Sequence, residues 1–187
     1  MSARSAWTVG SGAAVAALVL WLAMGSGQAQ TNGGPDAGVD GAIVADSILD
    51  FHAMAPVTPP FTGASNAVRG VNGAGLPWAV AHADGTLRSD GGLVIHLSGL
   101  VLASEAPVPA AQRGTNPLAS FTAVVSCLSK DQTGAAKQVN LVTAPATANP
   151  AGDATIDATV ALPTPCIAPV VFVADSSGTS WIAVSGR

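Results

Sequence analysis

The amino-acid sequence predicts an all-β chain, an antiparallel β-sandwich of immunoglobulin-like architecture with about nine or ten short strands and one disulfide. Three observations carry that expectation. Short runs rich in Val, Ile, Thr and Phe alternate with clusters of Gly, Pro, Asn and Asp at fairly regular spacing. No stretch beyond the first 30 residues sustains a helical period. Beyond residue 29, Gly and Pro make up roughly a fifth of the chain, below the quarter to a third that marks low-complexity disorder, so they read as turns.

Residues 1–29 read as a secretory signal peptide. Arg4 and the amino terminus supply the positive start, and Val9 to Met24 form an apolar run containing Leu18, Val19, Leu20, Trp21 and Leu22. Gly25-Ser26-Gly27-Gln28-Ala29 then offers the small residues that a signal peptidase reads if it cuts after Ala29. The alternative is an uncleaved anchor, but the apolar run, about 16 residues, falls short of the 18 to 20 that cross a bilayer. No cysteine near the end of the leader could accept a lipid. Residues 30–40 hold almost no apolar bulk and cannot offset the entropy of ordering them, so a flexible linker is expected there. The β-sandwich domain is expected over 41–187.

Within that domain, strands are expected first at 42–50 and 66–71. A three-stranded meander of 78–83, 86–89 and 93–97 follows. Its first turn is assigned to Asp84-Gly85 and its second to Ser89-Asp90-Gly91-Gly92, both residue pairings that favour positive φ. Later strands are expected at 119–128, 137–143, 154–161, 169–174 and 180–184. The prolines at 59, 60, 107, 109, 117, 145 and 150 mark 52–65, 103–118 and 144–153 as loops. The first two are long, and long loops are where binding functions are often placed. Gly70-Val71-Asn72-Gly73-Ala74-Gly75 lacks the spacing of a phosphate loop, and Pro77-Trp78 stands where a helix would begin, so it reads as a strand-to-strand bend. No internal repeat stands out.

Cys127 and Cys166 are the only cysteines, and export would take them to an oxidising compartment, so a Cys127–Cys166 disulfide is expected. By chain entropy a loop of about 40 residues contributes roughly 4 kcal/mol. A redox pair would instead place its cysteines two residues apart at a helix start.

Charge excludes one class of partner. Outside 1–29 there are six basic and eleven acidic residues, a net charge of −5, the wrong sign for nucleic acid or an anionic lipid surface. No membrane association is expected once the leader is removed. His52, His82 and His96 are the only histidines, so any imidazole chemistry draws on them. If residue 82 faces 87 and 87 faces 94, then His82, Leu87, Val94 and His96 share one face of the meander. The two histidines would then lie on the order of 11 to 12 Å apart between Cα atoms, long for two ligands of one ion. Half-buried, hydrogen-bonded histidines are the plainer account, with His82 and His96 the candidate metal ligands.

No catalytic or cofactor-binding residue is assigned. There is no Gly-x-Ser-x-Gly elbow beyond the leader, Glu105 is the only glutamate, and several aspartates adjoin glycine at turns. Trp78 and Trp181, with Phe51, Phe61, Phe121 and Phe172, are expected to fill the core.

Arg69-Gly70 to Leu76-Pro77-Trp78, Gly114-Thr115-Asn116-Pro117 before Ser126-Cys127, and Leu162-Pro163-x-Pro165-Cys166 before Val171-Phe172-Val173 and Trp181 form a pattern that resembles uncharacterised bacterial secreted proteins without a named family. The resemblance implies export and a β-domain, and it transfers no catalytic residue. The leading expectation is an exported, non-enzymatic structural or binding module of the cell envelope or extracellular space. It needs no cofactor and meets a protein or another envelope component. The alternatives are a secreted hydrolase with a loop-assembled histidine site and an exported metal-binding protein.

Overall fold

The computed structural model describes residues 45–186; the expected leader at 1–29 and linker at 30–40 lie outside the described residues. Those described residues are almost wholly strand and turn, with one short 3-10 turn at Ala110–Gln112. Most of the strands belong to two sheets.

The four-stranded sheet runs in the order β1 (Ser47–Phe51), β5 (His82–Arg88), β6 (Gly92–Ser98) and β11 (Ala154–Thr159), and every pair in it is antiparallel. Its strands obey the period of two that a half-buried sheet imposes. In β6, Leu93, Ile95 and Leu97 are buried, while Val94, His96 and Ser98 point the other way.

The seven-stranded sheet is centred on β8 (Ser120–Lys130). One side of β8 pairs with β12 (Ile167–Ala174), and the other with β9 (Ala136–Val142) and β10 (Ala146–Thr147). Beyond β12 lies β13 (Ser180–Ser185), which pairs with β2 (Met54–Pro56) and, in parallel, with β3 (Asn72–Gly73). A separate two-stranded ribbon joins β4 (Trp78–Ala79) to β7 (Val101–Leu102).

Both sheets feed one hydrophobic core. Phe51, Leu87, Leu93, Ile95 and Ile156 enter it from the smaller sheet, and Phe121, Val125, Val171 and Val173 from the larger. This shared core supports the all-β class and the layered arrangement expected of a sandwich.

Unlike β6, β8 is buried without interruption from Phe121 to Cys127, so both of its faces are covered. The segment 57–76 supplies the outer cover. The Val57 amide donates to the Ile182 carbonyl and the Ala74 amide to the Trp181 carbonyl, at 2.7 and 2.8 Å. Phe61 packs its ring 6.5 Å from that of Trp181, which lies 6.0 Å from Phe172. Phe61 itself stays 43% exposed, so it caps the cluster rather than filling the core as expected.

Five sequence expectations change here. Asp84-Gly85 is not a turn: β5 runs straight through it, with Gly85 paired to Phe51 of β1. A Cβ at Gly85 would meet the Phe51 ring at 2.5 Å, so the glycine makes room for a cross-strand aromatic instead of a reversal. Residues 66–71 are not a strand either. Val68 and Val71 exchange hydrogen bonds across Arg69-Gly70, whose φ values of 50° and 68° make a type I′ turn. Finally, the expected 78–83 strand divides into β4 and the start of β5, and the expected loops at 52–65 and 144–153 hold the short strands β2 and β10.

The second turn of the meander forms as expected. The Gly91 amide donates to the Arg88 carbonyl, and a Cβ at Gly91 (φ 89°) would collide with the Val160 carbonyl. The Cys127–Cys166 disulfide is also present. It ties β8 to the residue just before β12, two neighbours in one sheet, whereas the conserved bridge of antibody domains runs between sheets.

Candidate functional site

Two places on the described residues combine chemistry with access. One is the outer face of the four-stranded sheet, and the other is an apolar cleft beside β4.

On the outer face, the continuous β5 changes the register assumed from sequence. His82 stands opposite Ser98, and Asp84 opposite His96. Leu87 points into the core, fully buried, and does not share the histidines' face. His82 and His96 are therefore diagonal neighbours on adjacent strands, about 7–8 Å apart by ordinary sheet geometry and closer than the sequence reading allowed. Asp84 lies between them. Its carboxylate is 3.0 Å from His82 Nε2, while His96 Nδ1 lies 3.5 Å from the Thr155 hydroxyl on β11.

His52 joins the same neighbourhood. It directly follows Phe51, whose partner is Gly85, so the backbone brings it beside Asp84 from the β1 side. By register the three histidines of the chain thus fall just past the end of β1, on β5 and on β6, on the strands around Asp84, and all three are exposed. Next to them, hydroxyls of Ser47 and Thr86 hold the Asp50 carboxyl below the ordinary aspartate value, with a smaller contribution from the charge of His52.

This face does not assemble the parts of a hydrolase. Ser98 is the serine opposite His82, but its hydroxyl helps to stabilise the ionised Asp153. Among the described residues no serine hydroxyl bonds to an imidazole. The His82–Asp84 pair also lies on an open surface, with the His82 side chain 64% exposed.

The apolar cleft has a volume of about 310 Å³. Trp78 of β4, Leu102 of β7 and Ile182 of β13 line it, and Leu76, Pro117 and Leu118 close its sides. Pro117 and Leu118 belong to the long loop 103–118, one of the two segments expected to carry binding. The other, 52–65, contributes nothing to the lining. Asp175, at the β12–β13 turn, is the cleft's one charged group. Partial burial works against its ionisation, but hydrogen bonds from Ser177 and Thr179 outweigh that and hold its pKa below the ordinary value.

Sequence reasoning found His82 and His96 but gave Asp84 to a turn and set His52 apart. It saw Trp78 and Trp181 as core, and both are buried. The cleft residues Leu76, Leu102, Leu118 and Ile182 carried no signal of their own, because an apolar residue reads alike whether it faces a core or a cleft. No family model matches the chain, and no curated protein or solved structure matches it either.

Proposed function

We propose that this chain is an exported, non-enzymatic binding module, an immunoglobulin-like β-sandwich of the cell envelope or extracellular space. The apolar cleft beside Trp78 is its binding surface. The observation that carries this reading is the convergence of the 103–118 loop and the β12–β13 turn on a concave apolar surface with a single carboxylate at hand. At about 310 Å³ the cleft lies at the small end of the range for ligand pockets, a size that takes one apolar group of a protein or envelope component. Ionised Asp175 would favour a group with a cation or hydrogen-bond donor beside it. One further fact agrees with an extracytoplasmic location: the disulfide, which oxidising compartments preserve.

Leu118→Arg tests the proposal by placing a charged side chain in the cleft from its half-buried wall. The probe is Nile red, an uncharged dye whose fluorescence rises in apolar sites. The wild type is expected to enhance it saturably, and the variant, with an unchanged far-UV circular dichroism spectrum, to lose that enhancement. Equal enhancement by both proteins would overturn the cleft as the binding surface.

A further inference from the structure

The outer face of the four-stranded sheet carries a second function, independent of the cleft. We infer that His82, His96 and His52, gathered around Asp84, form a surface site for a late first-row divalent ion such as Zn²⁺ or Cu²⁺.

The donor set selects that class of ion. Imidazole nitrogens suit zinc and copper, whereas calcium and magnesium call for several oxygen ligands, and this corner offers one carboxylate. Both cysteines are locked in the disulfide, so no thiolate competes for the ion among the described residues. Placement supplies the rest. His82 and Asp84 lie two residues apart on β5, with side chains on one face by the strand period. His96 is the direct cross-strand partner of Asp84, and His52 follows the partner of Gly85.

No three His, Cys, Asp or Glu side chains among the described residues already converge on one point. The site therefore assembles by side-chain rotation, for which the structure leaves freedom. All three imidazoles are exposed, and His96 has only a 3.5 Å contact to Thr155 on the side away from Asp84. Turning His96 toward Asp84 and His82 brings two imidazoles together over the carboxylate, and His52 approaches from the opposite strand. Asp84 then serves as a ligand or fixes the His82 ring through the hydrogen bond it already makes, a contact whose loss ordinarily weakens a metal site about 10–100-fold. Coordination would be completed by water, leaving the ion open to a partner's donor atom.

Calorimetric titration of the full chain with Zn²⁺ at neutral pH tests this directly, with the imidazole proton resonances followed by NMR. The wild type is expected to bind one ion saturably, with the ring signals of all three histidines shifting together. His82→Gln and His96→Gln should each weaken binding at least ten-fold, Asp84→Asn should weaken it within the range above, and His52→Gln should weaken it measurably. All four positions are on the surface, so the melting temperatures of the variants should match the wild type and loss of binding cannot be loss of fold. The inference is overturned if the wild type shows no saturable binding, or if the His82→Gln/His96→Gln double variant binds as the wild type does, which would mark an adventitious ion only. Wild-type affinity in His52→Gln would remove the third imidazole from the site. Leu118→Arg should leave Zn²⁺ binding unchanged, so failure of the cleft proposal and failure of this one are separable.

Discussion

The outer faces of the two sheets are opposites. On the four-stranded sheet the outer face is polar and open, carrying Asp50, His82, Asp84, Thr86, His96 and Thr155. On the seven-stranded sheet its centre is apolar, built on Phe172, Val124 and Trp181, and covered by the 57–76 segment, while Leu128 and Val142 toward β9 stay exposed. A face that can stay wet is free to hold exposed imidazoles and carboxylates. A face rich in large apolar groups has to be covered, and this one is covered by chain from the same domain. The same contrast separates the two candidate sites: exchangeable polar ligands on one sheet, and an apolar cleft beside the covering segment of the other.

The largest effect expected from this contrast is at Phe172. Phe172→Ala removes a fully buried ring between the sheet and its cover, and about 3–5 kcal/mol of stability should go with it. Val94→Thr, on the open face, should change stability by no more than about 0.5 kcal/mol. Chemical denaturation of the two variants measures both, and comparable losses would break the comparison.

A smaller effect is expected where the open sheet depends on its inner side. Gly85→Val places a side chain against the Phe51 ring and the Val94 carbonyl, at a cost of about 1–3 kcal/mol. Unchanged stability would mean that Phe51 repacks freely and that the glycine is dispensable to the strand.

The smallest effect is electrostatic. Asp175 and Asp50 both have pKa values lowered in the fold, but Asp50 is fully exposed and solvent screens its contribution, whereas Asp175 is partly buried. A carboxyl with a lowered folded pKa adds stability that is fully present above its unfolded value, near 3.8, and is lost as pH falls through the folded value. Melting temperatures measured from neutral pH down to about pH 2 should therefore fall less steeply for Asp175→Asn than for the wild type, and Asp50→Asn should follow the wild type more closely.

Much of the fold was legible because strand chemistry is local. The runs at 119–128, 137–143, 154–161, 169–174 and 180–184 correspond to β8, β9, β11, β12 and β13, within a few residues at each end. Which strand is buried on both faces was not legible: β8 carries Thr122 and Ser126 within its buried run, whereas Leu93-Val94-Ile95 of β6 is unbroken apolar sequence on a strand buried on one face. One local signal was there to be read and was not. Asp131-Gln132-Thr133-Gly134 and Asp175-Ser176-Ser177-Gly178 share an Asp-x-Ser/Thr-Gly pattern, and both close hairpins in which the aspartate accepts hydrogen bonds from the turn it begins.

The candidate sites were less legible, for a reason that Asp84-Gly85 makes concrete. By local preference that dipeptide is a turn; in the fold Phe51, 34 residues earlier in sequence, lies across Gly85 and keeps the strand extended. That long-range contact and the pairing of β5 with β6 together put His82 and His96 on neighbouring strands, with His52 following the β1 partner of Gly85. The cleft depends likewise on bringing β4, β7, β13 and the 103–118 loop together.

By itself, the sequence determined the all-β class, the pairing of the only two cysteines and the identity of the only three imidazoles. These follow from composition and from hydrogen-bonding preferences that act over a few residues. The tertiary structure alone decided which side of each sheet is covered and which polar groups share a face. Those outcomes depend on register, where a shift of one residue sends every side chain to the opposite face, and on packing between segments far apart in the chain.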